Sequence, residues 1–166
     1  MRTRRRLALL AVTVMHFGCA SAPSHGPTQA GTPPCPQNEV VQVGGAHGVI
    51  LAAGNASVDG YEHGAITRYW TPGLPEVLRA EEGVPGYLAR MSSSLSGKFS
   101  SYIRQYTGFY HQGRKLIFIQ FLCWPPSTPG WRCQRVAVDD GGDCYFSLEY
   151  DVASGEYRNL RINGEA

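Results

Sequence analysis

The sequence predicts an α+β domain, in which a helical segment packs on an antiparallel meander sheet of four or five strands. Three observations carry this prediction. The apolar run from Lys115 to Leu122 has the length of a strand and is rich in isoleucine and phenylalanine. A stretch with helical periodicity precedes it, and short apolar runs separated by turn sequences follow it. Because the run is apolar on both faces, we expect it in the middle of the sheet.

The helical segment is expected to begin at Thr71, which suits an N-cap, with Pro72 in the first helical position. Two helical pieces follow at about 73–82 and 86–95, and Gly83 interrupts the pattern between them. The side chains expected to cover the sheet are Leu78, Leu88 and Met91.

Beyond the helices the apolar period becomes that of strands. The expected strands lie at residues 100–110, 115–123, 133–138, 144–150 and 157–163. One or two shorter strands are expected within residues 40–52. Turn sequences rich in glycine and aspartate separate these runs.

The cysteines fix an expected register. If strands 115–123 and 144–150 are antiparallel neighbours, Cys123 lies opposite Cys144 within disulfide reach, which leaves Cys35 to pair with Cys133. A bridge from Cys123 to Cys133 is the alternative pairing. The same register places Phe121 opposite Phe146, Ile119 opposite Leu148, and Ile117 opposite Tyr150, all on the helical face together with Leu160 and Ile162.

The other face of the sheet also carries apolar side chains. Leu116, Phe118 and Tyr145 are expected there, among polar residues. Either residues 40–52 fold across this face, or a partner binds it. The proline-rich loop that follows strand 115–123 adds Trp124 and Trp131, which suit either a binding anchor or local packing.

The length of 166 residues allows one domain of ordinary size. Four arginines before residue 19 account for the formal charge of +2, because no acidic residue precedes Glu39. Without them, eleven basic residues face thirteen acidic ones, a net charge of about −2. A chain of that charge lacks the excess of basic residues that binds the phosphates of nucleic acid, so no nucleic-acid partner is expected.

The N-terminal region has the layout of an export signal, with a basic start, a short apolar run and then small residues. The residues around Cys19 resemble a bacterial lipoprotein signal, in which such a cysteine is lipidated. Gly18 matches that pattern, whereas His16 stands where the family usually has leucine. The resemblance implies a signal peptide at 1–18 and a lipid anchor on Cys19, and the absence of a following aspartate implies an outer-membrane lipoprotein that faces the periplasm.

The alternative for this region is simple secretion, with cleavage after Ala20 or Ala22. A Pro/Gly-rich tether is expected at 19–38, followed by a single domain at 39–166. The four cysteines that remain besides Cys19 are even in number, which in an exported chain favours two disulfides over zinc.

Residues 69–166 resemble small, largely uncharacterised bacterial exported proteins and lipoproteins built from a helical segment and an antiparallel sheet, a layout similar to cystatin-like folds. The resemblance is carried by Trp70-Thr71-Pro72, Arg104-Gln105-Tyr106, Gly113-Arg114-Lys115-Leu116-Ile117, Asp140-Gly141-Gly142 and Asn163-Gly164. It implies the fold and no particular activity.

Few residues suggest a catalytic or metal-binding role. Asp139, Asp140 and Asp143 surround two glycines and could form a calcium loop, but the same residues suit a tight turn, and we predict no metal site and no cofactor. His47 and His63 with Asp59 could supply a dispersed catalytic site.

We therefore expect an envelope-anchored, non-enzymatic binding or accessory lipoprotein, with the membrane and an envelope protein as partners. The alternatives are an exported hydrolase-type enzyme with a dispersed His/Asp site, and a module resembling a protease inhibitor.

Overall fold

The protein is described by a computed structural model that covers residue 35 and residues 37–123 and 130–164. Its strands are β1 (Glu39–Val43), β2 (Ala46–Ile50), β3 (Ile66–Trp70), β4 (Ile103–His111), β5 (Arg114–Leu122), β6 (Tyr145–Asp151) and β7 (Tyr157–Ile162). Its helices are α1 (Leu74–Glu82), α2 (Val84–Met91) and α3 (Ser93–Lys98). The α+β class is confirmed. Among the described residues no helix has the length and apolarity needed to cross a membrane.

The sheet differs from the expected meander in size and direction. In the part of the chain that the structure describes it has seven strands, in the order β1-β2-β4-β5-β6-β7, and β3 pairs with the remaining length of β4. Strands β2 and β4 are parallel, while the other pairs are antiparallel. The parallel pair arises because the chain passes through β3 and all three helices between β2 and β4, and only such a long crossover can join parallel neighbours.

The predicted register of the two central C-terminal strands is confirmed. In the β5–β6 pair Phe121 lies opposite Phe146, Ile119 opposite Leu148 and Ile117 opposite Tyr150. All six side chains are buried in one cluster with residues of the helices. Leu160 packs against this cluster, whereas Ile162, expected in the same surface, is 47% exposed at the end of β7.

The helical stripe that covers the sheet is different from the expected one. Leu88 is buried, but Leu78 and Met91 are 47% and 57% exposed. The buried positions of α1 and α2 are Val77, Ala80, Glu81, Val84 and Leu88. This i, i+3, i+4, i+7 series includes a glutamate, which an apolar pattern does not select.

Glu81 is buried because it finds polar partners in the core. The Tyr106 hydroxyl donates a hydrogen bond to Glu81 Oε1 over 3.0 Å, and Arg104 Nε lies 3.5 Å from the same oxygen. Arg104 is buried as well, with its guanidinium on the Phe99 and Phe121 rings and its Nη atoms bonded to the Tyr102 and Phe99 carbonyls. This pair joins α1 to β4.

The first helix begins later than Thr71 and Pro72 suggested. Gly73 is the N-cap, and Glu76 Oε2 accepts a hydrogen bond of 2.9 Å from its amide. Thr71 instead turns its Oγ1 towards the backbone, where it accepts a hydrogen bond from the Ala53 amide. The expected helix at 73–82 is otherwise present as α1.

Residues 133–138 were expected to form a strand and do not. Their backbone is held by the side chains of two buried glutamines rather than by a neighbouring strand. Gln105 donates to the Gln134 carbonyl and accepts from the Val136 amide, and Gln120 donates to the Val136 carbonyl over 2.7 Å. These bonds replace the ladder that a strand would need.

Candidate functional site

The four cysteines of the domain form the two expected pairs. Cys35 is joined to Cys133 and Cys123 to Cys144. The Cys123 amide also donates a hydrogen bond to the Cys144 carbonyl over 2.9 Å, at the end of the β5–β6 ladder. Disulfides of this kind are typical of exported proteins. Cys19 and the expected signal and tether up to residue 34 lie outside the described residues.

Of the two alternatives for the second face of the sheet, an internal cover and a binding surface, the burial of the described side chains favours the internal cover. Leu116, Phe118 and Trp131 are each at most 5% exposed. Tyr145 is half-buried and packs with Trp131, and Trp124 lies outside the described residues.

The cover over this face is internal, although residues 40–52 do not provide it. Those residues form β1 and β2 at the edge of the same sheet. Two other segments lie over the face. Val58, Tyr61 and Ile66 pack on Leu116, Phe118 and Phe109, while Trp131, Val136 and Val138 pack on Val49, Leu51, Ile103 and Leu122.

A buried carboxylate holds the first of these segments down. Glu149 is 1% exposed and accepts hydrogen bonds from the Tyr61 hydroxyl, Arg158 Nε and Asn159 Nδ2, at 2.5, 3.1 and 2.9 Å. Burial, and then the bond to Glu149, raise the pKa of the Tyr61 phenol well above its ordinary value, so that it remains a donor. All the acceptor oxygens are used, which makes this cluster a clamp on the segment.

Of the histidines and the aspartate considered for catalysis, one lines a cavity whose described walls do not include the other two. His47 lines a cavity of about 480 Å³ with Ser100, Ser101 and Tyr102, together with Gly45, Ala46, Ile103 and Cys123. His63 and Asp59 do not belong to that lining, and Asp59 forms an ion pair with Arg135. No carboxylate is among the described residues of the cavity wall.

One of the aspartates considered for a calcium loop has a basic partner instead. Asp143 forms an ion pair with Lys98 over 2.6 Å. Gly141 has a φ of 96°, a backbone conformation that glycine adopts readily, so the tight turn accounts for a glycine at this position. Within the described ranges no group of three or more potential metal ligands converges.

A groove between α2 and the β6–β7 turn is a second candidate for a binding site. It has a volume of about 630 Å³. Its walls are Gly83, Gly86, Tyr87, Arg90 and Met91 on one side and Gly155, Glu156, Tyr157 and Arg158 on the other. The floor is aromatic, because the rings of Tyr87 and Tyr157 lie 5.3 Å apart and Tyr150 lies 5.2 Å beyond Tyr157.

The position of Tyr157 is fixed by α1. Its hydroxyl donates to the Ala80 carbonyl over 2.7 Å and accepts from the Gly83 amide over 3.1 Å. Burial raises the pKa of Tyr157 to about 12, so the phenol stays protonated at physiological pH. A Cβ atom on Gly83 would stand 2.7 Å from the Tyr157 hydroxyl, so glycine is required here by close approach. The floor of the groove is therefore preformed.

The rim of the groove is partly charged and partly apolar. Arg90 is exposed, and Arg158 is held through its Nε by Glu149, while Glu156 on the same rim is bonded to Ser154. Met91 exposes 57% of its surface at the mouth. Tyrosine, methionine and arginine are the side chains enriched in protein interfaces.

Sequence reasoning missed this site for a definite reason. Met91 was expected in the buried stripe of the helical segment, and Tyr157 at the start of the last strand. The one available signal was the spacing of Tyr87, Arg90 and Met91, which lie on one side of a helix at i, i+3 and i+4. Their approach to Tyr157, seventy residues further along the chain, depends on the tertiary fold.

No protein-family model, curated protein or solved structure matches this chain. Its function is therefore inferred from its own residues and geometry.

Proposed function

We propose that this protein is an envelope-anchored, non-enzymatic binding or accessory lipoprotein, and that the groove between α2 and β7 is where it holds a protein partner. The observation that carries the proposal is the rigid aromatic floor of Tyr87 and Tyr157 beneath an exposed methionine and arginine. Preformed aromatic surfaces bind with little loss of conformational entropy.

The chemistry of the rim suggests the kind of partner. Arg158 is already paired with the buried Glu149, so Arg90 and Glu156 are the exposed charges of the rim, and Arg90 is the cation that can meet a partner's carboxylate. A partner segment with an apolar side chain beside a carboxylate would satisfy both the floor and the rim. We place such a partner in the cell envelope, because the sequence resembles that of a lipoprotein bound for the outer membrane.

The enzyme alternative has less support. The cavity at His47 brings an imidazole and the hydroxyls of Ser100 and Ser101 together. Neither His63 nor Asp59, with which His47 would form the expected dispersed site, belongs to the lining of this cavity. A protease-inhibitor role has no feature of its own in favour of it.

Site-specific photocrosslinking tests the groove. A benzophenone amino acid at Met91, in cells that export the full chain, should give an adduct with an envelope protein. The same probe at Glu62, an exposed loop residue on another part of the domain, is the control. Arg90→Glu should reduce the adduct strongly, whereas Arg79→Glu, an equally exposed change on α1, should leave it. No adduct at Met91, or equal adducts in both arginine variants, would contradict the proposal.

Anchoring has a separate test. Cys19→Ser should abolish metabolic labelling with fatty acid and release the protein from membranes. A variant that still fractionates with membranes would refute lipidation at Cys19 and leave the groove proposal untouched.

A further inference from the structure

The sheet has three edge strands among the described residues, and they are protected unequally. Strands β1, β3 and β7 each pair on one side only. An edge strand presents unpaired N–H and C=O groups that can pair with another chain, and proteins usually block such edges with charges, prolines or bulges. An edge strand without such protection is therefore the candidate for pairing with another chain.

Strands β3 and β7 both carry protective features. The β6–β7 ladder shifts register between Ser147 and Glu149, and Asn159 has a φ of 51° there. The β3–β4 ladder shifts between Ile66 and Arg68. Each of these edges also carries arginine: Arg158 and Arg161 on β7, and Arg68 on β3. Irregular backbone and charge oppose the addition of a further strand.

Strand β1 has neither an irregular backbone nor an arginine. Its five residues pair with β2 without a shift, from Glu39 opposite Ile50 to Val43 opposite Ala46. It contains no lysine, arginine or proline, and Val40 is 58% exposed. Val41 and Val43 are buried in the core beneath the helices, so β1 is held in place as a regular edge.

The turn that follows β1 shows which backbone groups face outward. Gly44 and Gly45, with φ values of 57° and 83°, form a two-residue hairpin loop. The residues that close such a loop, Val43 and Ala46, exchange both hydrogen bonds, and the bonded pairs then alternate along the ladder. The N–H and C=O groups of Val40 and Gln42 therefore point to the free edge.

This edge is complementary to itself. If two copies pair antiparallel with Val41 opposite Val41, then Val40 lies opposite Gln42 of the second copy and their outward groups can bond on both sides of a twofold axis. Glu39, which carries the only charge in the strand, lies opposite Val43, so like charges do not meet. We propose that β1 is the self-association edge of this protein, at which two copies join their seven-stranded sheets into one.

Sedimentation of the full exported chain with Cys19→Ser, which removes the lipid anchor, tests this proposal. The chain should form a dimer whose fraction rises with concentration. Gln42→Pro should remove the outward donor without breaking the bonds to β2, because a proline is tolerated at the unpaired side of an edge strand. We expect the dimer dissociation constant to rise about tenfold or more, which corresponds to the loss of at least one such bond.

A second variant guards against misfolding caused by proline. Gln42→Lys places a charge on the edge and should weaken the dimer in the same direction. Gln112→Lys makes the same chemical change at the exposed tip of the β4–β5 turn and should leave the dimer intact. Circular dichroism spectra of all variants should match that of the unchanged protein.

Hydrogen–deuterium exchange locates the interface. The amides of Val40 and Gln42 should be protected at high concentration and exchange rapidly on dilution. A chain that stays monomeric over the whole range overturns the proposal. A dimer that both Gln42 variants leave unchanged does so too, as does protection of these amides that dilution does not remove, since another segment or protein would then cover the edge.

Discussion

Phe121 stacks face to face on Phe146, with ring centroids 4.3 Å apart and ring planes parallel within 1°. The two residues lie directly opposite each other on β5 and β6. The Tyr102 ring meets both of them edge-on, at 6.2 and 5.0 Å. All three rings belong to the core cluster between the sheet and the helices.

Truncation of Phe146 should be among the most damaging changes in the chain. Phe146→Ala removes one ring of the stack from a fully packed site and should lower the free energy of unfolding by about 3–5 kcal/mol. Leu78→Ala is the matched control, because Leu78 is exposed and alanine suits a helix; its effect should stay within about 0.5 kcal/mol. Urea unfolding measures both. A larger loss for Leu78→Ala would restore the helical stripe expected from the sequence.

Gly83 and Gly86 should respond oppositely to the same substitution. Gly83→Ala forces the Tyr157 hydroxyl away from Ala80 and the Gly83 amide, and should destabilise the domain by about 1–3 kcal/mol. At Gly86 the nearest atom to a new Cβ is 3.8 Å away, so Gly86→Ala should be neutral or stabilise α2 by up to about 1 kcal/mol. Thermal unfolding distinguishes them, and equal effects would mean that Tyr157 is not held through Gly83.

The buried Glu81 predicts a specific pH dependence. Burial raises the pKa of the Glu81 carboxyl, even though Arg104 and Tyr106 act to lower it. The stability from this residue is therefore complete below about pH 4 and is lost as the pH rises through the raised pKa. Glu81→Gln should differ little from the unchanged protein in acid and should gain relative stability towards neutral pH.

Urea unfolding at a series of pH values measures this effect. Glu82→Gln alters the exposed neighbour and should differ little from the unchanged protein throughout. A Glu81→Gln variant whose relative stability falls as the pH rises would show that Arg104 favours the charged carboxylate more than burial disfavours it.

The two disulfides should contribute unequally to stability. They join residues 21 and 98 positions apart. In the chain-entropy description, closing loops of about these lengths contributes about 3 and about 4.7 kcal/mol. Replacing Cys35 and Cys133 by alanine should therefore lower the free energy of unfolding more than replacing Cys123 and Cys144. A peptide map without reduction checks the pairing, and a linked Cys123–Cys133 peptide would refute it.

The C-terminal sheet was predictable because several local signals agreed. The apolar run at β5, the turn at Gly113 and the cysteine pair at the end of β5 all require the same register. Any shift by one residue would have placed Phe121 and Ile119 on the wrong face. Agreement between turn, pattern and covalent link made this part of the fold accessible from the sequence.

Strand β3 was missed because its stability comes from distant residues. Its five residues are at most half-buried and show no clear apolar alternation. It forms by pairing with the far half of β4, and the Trp70 indole donates to the Phe109 and Leu116 carbonyls. Gly108 makes room for that indole, since a Cβ there would lie 2.6 Å from the Trp70 ring. None of these contacts is visible in a local pattern.

The candidate groove was beyond prediction for a related reason. It depends on the phase of α2, which begins at Val84 directly after Gly83 and turns Leu88 inward and Met91 outward. A stripe drawn through Leu78, Leu88 and Met91 assigns the exposed methionine to the core. The observed buried series instead passes through Glu81. Its burial depends on Arg104 and Tyr106 of β4.

The bridge between Cys35 and Cys133 also has a mechanical consequence. Without the bridge, a pull on the chain upstream of Cys35 would act on the hydrogen bonds of the Asn38 side chain and then separate β1 from β2, starting at Glu39. With the bridge, tension passes directly into Cys133, whose carbonyl is held by the Asn38 side chain. The β1–β2 hairpin is thereby protected from the pulling force. Reduction of the Cys35–Cys133 bridge would expose it to that force, and the domain would then unfold from its N-terminal strand.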